Sequence, residues 1–367
     1  MKVLHIYKSF YPETRGGVEE AILQIISATS KYGIRSDVLT TNKKHQKITY
    51  FYKDIKVISV PSIIEFASTP ISLSLVYSFR KIMNQYDIIH YHFPFPMCDI
   101  LNLFCNKKTV ITYHSDIIRQ KKILRFYEPF MHRFLTKVDC IAATSINYIN
   151  SSKTLGIYSS KTVNIPLGLS DVSCDSINND QVRNWKKIYG KKFFLFVGVL
   201  RYYKGLNYLL RAIENTNFPL VIAGSGEMDK DLRKYVEEKN IKDIFFTGYI
   251  SDEEKHSLIS SCYAFVFPSH LRSEAFGLSL IEALIHGKPI ISCEIGTGTS
   301  FVNKNGLTGL VVPPKDVKAL NAAMKILWSD SKLVSKFGKA ARERYEKKFE
   351  SLHMALGYYN LYSKLLK

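Results

Sequence analysis

Long apolar runs are missing from this chain of 367 residues. The longest wholly apolar stretch, Phe193 to Leu200, is far below the roughly 20 residues that a membrane-spanning helix needs. Any membrane contact must therefore be peripheral. The opening residues, MKVLHIYKSFYPETRGG, are interrupted by His5, Tyr7 and Lys8 and lack the apolar core of a secretory signal. The six cysteines, at positions 98, 105, 140, 174, 262 and 293, show no C-x-x-C spacing of a zinc or redox site. A reduced, cytoplasmic chain with incidental thiols is expected. Acidic residues are scarce, with 32 Asp and Glu against 51 Lys and Arg, a formal charge of +19. The excess is no single basic tail, because residues 1–170 hold 22 basic and 11 acidic side chains and residues 171–367 hold 29 and 21. An anionic partner is implied.

What is present is the mixture of an ordinary globule: 46% hydrophobic and 23% charged residues exclude a disordered, collagen-like or coiled-coil chain. The length suits two domains. Short β-branched and aromatic runs alternate with helical patterns, the signature of βαβ units and a mostly parallel sheet. Seven strands are predicted early, at Lys2–Tyr7, Asp37–Thr41, Lys56–Val60, Ile88–His92, Thr109–Tyr113, Cys140–Thr144 and Thr162–Ile165, with a helix from about Gly17. A Gly, Ser, Asn and Asp-rich stretch at 167–180 then reads as a linker. The pattern restarts at Lys192–Gly198, Leu220–Ala223, Ile244–Thr247, Ala264–Pro268, Pro289–Ser292 and Gly309–Val312. The expected fold class is α/β, with Rossmann-like domains at 1–170 and 171–350 and a Tyr- and Leu-rich C-terminal helix, 351–367, packing back across the boundary.

Ligands of open parallel sheets bind beyond the carboxyl ends of strands, and the conspicuous residues fall there. Arg15-Gly16-Gly17 follows the first strand as a Gly-rich turn opening a helix, where backbone N–H groups can approach an anion. His114-Ser115-Asp116 follows the 109–113 strand; Arg201, Lys204 and Gly205 follow the 193–199 run. Gly224-Ser225-Gly226 and Glu274-Ala275-Phe276-Gly277-Leu278, the latter leading to Glu282, complete the series. Each has a plainer reading: an ordinary turn, a satisfied loop pair, or solvated surface lysine and arginine. The dinucleotide fingerprint G-x-G-x-x-G fails, since its third glycine falls at Asp229.

The features are more specific together. On a continuous helix, positions eight apart lie about 80° round from each other and about 12 Å along the axis. With Gly277 near a helix start, Glu274 belongs to the preceding loop and Glu282 to the second turn. One carboxylate can then meet a sugar and the other a ribose, while the N–H groups of Phe276, Gly277 and Leu278 face a diphosphate. This arrangement describes a nucleotide-sugar pocket between two domains.

The constellation resembles the retaining glycosyltransferases of the large family commonly called family 4, which have two facing Rossmann-like domains, the GT-B fold. The matching pieces run in family order across nearly the whole chain: RGGVEE at 15–20, YHSDIIRQK at 113–121, ATSINYINSS at 143–152, VNIPLGL at 163–169, VGVLRYYKGL at 197–206, AGSGE at 223–227, FTGYISDEE at 246–254 and SEAFGLSLIEALIHGKPIISCEIGTG at 273–298. The resemblance implies that Gly16 and Gly17 approach the donor phosphate and sugar, with His114 beside the sugar. It implies that Arg201 and Lys204 neutralise the diphosphate, Glu274 binds sugar hydroxyls and Glu282 the ribose. Gly224 would line the nucleotide site and the backbone near Tyr249 and Ile250 would read the base. The phrases YHSDIIRQ, RYYKGL and EIGTGTSFVNKNG are most similar to bacterial O-antigen mannosyl- and rhamnosyltransferases using GDP-sugars. The donor is then a nucleotide sugar, GDP-linked, with a UDP-sugar as the alternative; no cofactor is needed.

Charge developing on a diphosphate leaving group can be met by Arg201, Lys204 and helix N-terminal amides without a metal. The sole D-x-D, Asp229-Lys230-Asp231, lies in a charged helical stretch, so no metal is expected. Residues 117–137 follow the His114 loop, with Ile123, Tyr127, Phe130 and Phe134 at helical spacing among Arg119, Lys121, Lys122, Arg125, Arg133 and Lys137. Pro129 is expected to kink or restart this helix. It reads either as a core helix with a basic face or as a surface docking on the anionic inner leaflet, where a polyprenyl-diphosphate-linked saccharide acceptor would reside. Two rival classes remain. A nucleic-acid-binding protein is disfavoured because no such module appears; an epimerase of the same fold is disfavoured by the Glu274–Glu282 pattern.

Overall fold

The computed structural model describes residues 1–67, 69–117, 121–172 and 177–367, the side chains of 121–123 excepted. Arg119 and Cys174 therefore lie outside the described residues, as do the side chains of Lys121, Lys122 and Ile123. The chain forms two compact units, Met1–Gly168 with Ser351–Lys367, and Leu169–Glu350. The first boundary thus falls after Gly168 rather than at 170.

The first unit contains β1 (Lys2–Ile6), β2 (Arg35–Asn42), β3 (Ile48–Tyr52), β4 (Ile55–Pro61), β5 (Ile64–Phe66), β6 (Thr69–Ile71), β7 (Ile88–Phe93), β8 (Lys108–Tyr113), β9 (Cys140–Ala143) and β10 (Thr162–Asn164). Eight of these make one sheet in the order β10-β9-β8-β7-β1-β2-β4-β3, and β5 and β6 form a separate hairpin. All neighbours in the large sheet are parallel except β3, which returns antiparallel to β4. That edge strand escapes the sequence reading because its turn is Lys53-Asp54, both at positive φ (48° and 65°). This is the primed hairpin geometry usually signalled by Asn-Gly or Asp-Gly.

The second unit is a six-stranded, wholly parallel sheet, built from β11 (Phe194–Val197), β12 (Leu220–Ala223), β13 (Ile244–Gly248), β14 (Ala264–Phe267), β15 (Ile290–Cys293) and β16 (Gly309–Val312). The order is β13-β12-β11-β14-β15-β16. Strands β11, β12, β14 and β15 are buried at every position, which a parallel sheet requires because helices cover both of its faces.

The helix Ser351–Leu366 belongs to the first unit. Its Tyr358 and Tyr362 hydroxyls bond Thr112 Oγ1 and His90 Nδ1, each at 2.7 Å, and Tyr359 stacks on Tyr32. The helix Lys121–Lys137 contains Pro129 and continues beyond it, so it does not restart there. Its apolar stripe also divides differently: Phe134 is buried, whereas Phe130 and its neighbour Phe126 are exposed. Among the described residues no helix is long and apolar enough to cross a membrane.

Candidate active site

Each sheet has a point where strand order reverses, and there the loops after two adjacent strands diverge to leave a crevice. In the second unit this point is β11, flanked by β12 and β14. The loop after β11 carries Arg201 and, through a single 3₁₀ turn Tyr202–Lys204, Lys204. The loop after β14 carries Glu274. Adjacent strands bring together two residues 70 positions apart, and Lys204 Nζ meets Glu274 Oε2 at 2.5 Å with both side chains one-tenth exposed. Ser269 Oγ donates to the same oxygen at 3.1 Å, and the Lys204 ammonium lies over the Phe267 ring at 4.7 Å. An ammonium has three donors, so Lys204 retains capacity for an anionic ligand. Arg201 is exposed and pairs with no carboxylate among the described residues.

Glycine makes this packing possible. Gly205 caps the turn at φ 73°, and a Cβ there would stand 2.1 Å from the Pro268 carbonyl oxygen. The loop of Glu274 is tied to the loop after β15: Thr297 Oγ1 donates to the Glu274 carbonyl and the Gly298 amide to Ala275, both at 2.8 Å. A Cβ on Gly298 would stand 2.5 Å from the Phe276 ring. Gly277, at φ 86°, is the N-cap of the helix Leu278–Ile285. Of the first-turn amides, that of Leu280 turns back to the Gly277 carbonyl at 2.9 Å, whereas that of Leu278 has no intrahelical acceptor and is available to an anion.

Glu282 lies on the second turn of that helix, as its spacing required, but it is not a free carboxylate. Lys255 Nζ holds its Oε1 at 2.7 Å and also meets Asp252 Oδ1 at 2.9 Å. Burial opposes the Lys255 charge, yet the two carboxylates outweigh it, and its pKa lies above the usual lysine range. Lys255 carried no signal in the sequence: it sits one residue beyond the FTGYISDEE segment and 27 before Glu282.

Gly224 has a packing role. Its amide donates to the Gly248 carbonyl at 2.8 Å and so is not offered to a nucleotide. A Cβ on it would stand 2.0 Å from the Gly198 carbonyl oxygen. Gly224 is there so that the loops after β11 and β12 can pack backbone to backbone. Tyr249, two-thirds exposed, and Ile250 follow β13 directly.

In the first unit the order reverses at β1, flanked by β2 and β7. Gly16 is the N-cap of the helix Gly17–Ser30, which opens beyond β1. Its turn is held from behind by Glu19, a buried carboxylate whose Oε1 accepts from Ser9 Oγ (2.7 Å) and Thr14 Oγ1 (2.9 Å). A Cβ on Gly16 would meet Glu19 Oε2 at 2.6 Å, whereas one on Gly17 would meet nothing within 4 Å. The two glycines therefore differ: a side chain on Gly16 would press on the Glu19 carboxylate, and Gly17 leaves open space before the helix N-terminus.

His114 follows β8, next to β7. It is buried, and burial pushes its pKa down to about 3, so the ring is neutral. Its Nε2 bonds His92 Nδ1 at 3.0 Å, and His92 Nε2 bonds His5 Nδ1 at 3.0 Å. Asp116, two residues further on, accepts from Tyr113 Oη and Ser152 Oγ. His5, His90 and His92 also place ligand-type nitrogens within 4.8 Å of one another. Lone pairs of imidazole lie in the ring plane, however, and His90 and His92 are stacked at 4.5 Å and 20°. Both nitrogens of each are bonded, those of His90 to Tyr362 and Thr112. The cluster is a hydrogen-bonded array, and these rings do not converge on a common ion.

Residues 15–171 match the family Glycosyltransferase Family 4, and residues 178–344 match Glycosyl transferases group 1. The chain is 45% identical over 371 residues to O-antigen chain mannosyltransferase C of Escherichia coli, covering 100% of this chain and 99% of that protein. It is 42% identical over 352 residues to D-rhamnosyltransferase WbpZ of Pseudomonas aeruginosa, covering 95% and 92%. Among solved structures, sucrose-phosphate synthase from Thermosynechococcus elongatus superposes with TM-score 0.80 at 22% identity, covering 99% and 98%. Anabaena Alr3699/HepE in complex with UDP and glucose gives 0.79 at 18%, covering 99% of each chain. At these identities the structures speak for the GT-B fold alone.

Proposed function

The chain belongs to the family 4, group 1 glycosyltransferases, and on that footing we propose that it moves a mannose-type hexose from a GDP-sugar to a lipid-linked saccharide in O-antigen or related surface polysaccharide synthesis. The observation that carries this reading is full-length identity above 40% to two transferases of mannose-type sugars, one of them named for the O-antigen chain. Arg201, the remaining donors of Lys204 and the first-turn amides at Leu278 meet the charge that grows on the diphosphate as the anomeric bond breaks. Glu274 accepts from hydroxyls of the sugar, Glu282 offers its second oxygen to the ribose, and the backbone at Tyr249 and Ile250 meets the base. Gly16, Gly17 and His114 serve the sugar and its phosphate. Transfer proceeds with retention at the anomeric carbon.

A thermal-shift panel of GDP, UDP, ADP and dTDP tests the donor, since a ligand raises stability with the logarithm of its occupancy. GDP should give the largest shift, and a larger one with UDP would overturn the choice of base. Nucleotide release that accelerates on adding a lipid-linked acceptor supports transfer; interconversion of the donor without acceptor would show an epimerase.

The acceptor's lipid places the enzyme at a membrane surface, which we assign to the first unit. Phe126 and Phe130 are 81% and 63% exposed beside the exposed Arg125 and Arg133. Their helix packs on the helix Met97–Leu103, which exposes Ile100 and Leu103, and that helix touches β6 of the hairpin that exposes Phe66. Apolar side chains among arginines fit the interface of an anionic bilayer. Replacing Phe126 and Phe130 together with Ser should weaken sedimentation with anionic vesicles at least about 10-fold, from the apolar area withdrawn. Salt should release the wild-type protein. Equal binding to neutral and anionic vesicles would exclude this surface.

A further inference from the structure

Histidines alternate along one face of β7, at 90 and 92, in a strand buried at every position. Register carries the pattern to both neighbours: His5 of β1 pairs with His90, and Thr112 of β8 pairs with His92, so that His114 follows on the same face. Three of these rings form a single file, His5–His92–His114, joined by two hydrogen bonds of 3.0 Å. The ends of the file differ. His5 Nε2 is buried with no hydrogen-bond partner, whereas His114 Nδ1, in the loop that follows β8, makes no bond to the described residues.

A neutral imidazole has one N–H and one bare nitrogen, so the file has two internally consistent states. In one, every ring is protonated at Nδ1, and the buried end at His5 Nε2 is a bare lone pair. In the other, every ring is protonated at Nε2, and an N–H group is buried at His5 without an acceptor. Orphaned buried N–H groups are rarer than under-satisfied acceptors, which selects the first state. Burial also keeps the file neutral: His5 and His114 are pushed down to about 3, and His92 lies well below the ordinary histidine value through burial and its histidine neighbours.

We propose that His92, backed by His5, is a positioning residue that fixes His114 as the Nδ1–H tautomer, so that His114 presents a hydrogen-bond donor to its ligand. The consequence for transfer rests on the reading that His114 meets the donor sugar. A ring with this tautomer offers an N–H to a sugar oxygen and cannot act as a base from that nitrogen. His92 is thus needed by the reaction without touching the reactants. This also explains why β7, a strand of otherwise apolar and aromatic residues, holds His92 in its interior; His90 stands outside the file and bonds Tyr362 and Thr112.

The test is long-range ¹H–¹⁵N correlation spectroscopy on the full chain carrying ¹⁵N-histidine, with the His114 signals identified by their loss in His114→Asn. The wild-type spectrum should show His114 protonated at Nδ1 and bare at Nε2. In His92→Phe, whose ring fills the same space without a nitrogen, His114 should become a mixture of tautomers. Turnover should fall about 10-fold, the worth of one well-directed hydrogen bond. A wild-type His114 protonated at Nε2 would overturn the assignment, and this needs no variant to fold. An unchanged His114 tautomer in His92→Phe would overturn it equally. A changed tautomer with full turnover would uphold the file and remove His114 from the donor sugar.

Discussion

Lys204→Ala should lose about 10²- to 10³-fold in turnover, the range for removing one fixed charge stabiliser from a developing anion. The folded state should also lose about 3–5 kcal/mol, because the substitution leaves the Glu274 carboxylate buried without its counter-charge. The same holds from the other side. Glu274→Ala strips the partner from a lysine that is one-tenth exposed, so its lost activity would be confounded with lost stability. Glu274→Gln is the cleaner variant, since it keeps the shape and one acceptor facing Lys204. The decisive comparison is the double variant Lys204→Met with Glu274→Leu. Replacing a buried ion pair with apolar residues of similar volume is often neutral in stability. The double variant should therefore unfold near the wild-type denaturant midpoint while remaining inactive. Restored turnover in it would show that the pair is structural and serves no ligand. Two single variants as stable as wild type would show that the charges are not buried against each other.

Gly17→Val should behave in the opposite way, retaining stability within about 0.5 kcal/mol, as an exposed position without neighbours allows. It should lose about 100-fold in turnover, because a side chain now fills the space through which the ligand reaches the helix N-terminus, and displacement of about 1 Å costs that much. Gly16→Ala provides the contrast. Its Cβ meets Oε2 of Glu19, a carboxylate that Ser9 and Thr14 hold by its other oxygen, Oε1, so this variant should lose stability as well. Turnover of Gly17→Val equal to wild type would remove the first unit's turn from the site. Thermal unfolding of the two variants in parallel distinguishes a blocked site from a distorted turn.

The candidate site was legible in the sequence where residue type and strand end coincided. Arg201, Lys204 and Glu274 stand in loops directly after apolar runs that can only be buried parallel strands, so their placement followed from the runs themselves. Gly224 shows the limit of that inference. A glycine after a strand is visible in the sequence, but whether its missing side chain makes room for a phosphate or for Gly198 depends on the neighbouring loop. His5 and His92 were passed over because they interrupt apolar stretches singly, and nothing local says that β1 and β7 are adjacent. The exposed Phe126 was missed for a related reason. A helical stripe predicts which side chains share a face, and Phe134 does turn inward, but the depth of packing decides how far along the helix burial extends.

The sequence by itself determined the alternation of strand and helix, two mostly parallel sheets, and the loops that carry polar chemistry, because the periodicity of apolar residues is a local property. The tertiary structure decided which of those loops meet. Lys204 lies against Glu274 because β11 neighbours β14, Lys255 against Glu282 because their helices pack together, and His5, His92 and His114 form a file because β1, β7 and β8 are neighbours in register. Strand order is fixed by the packing of the whole sheet, and no residue's own propensity encodes it.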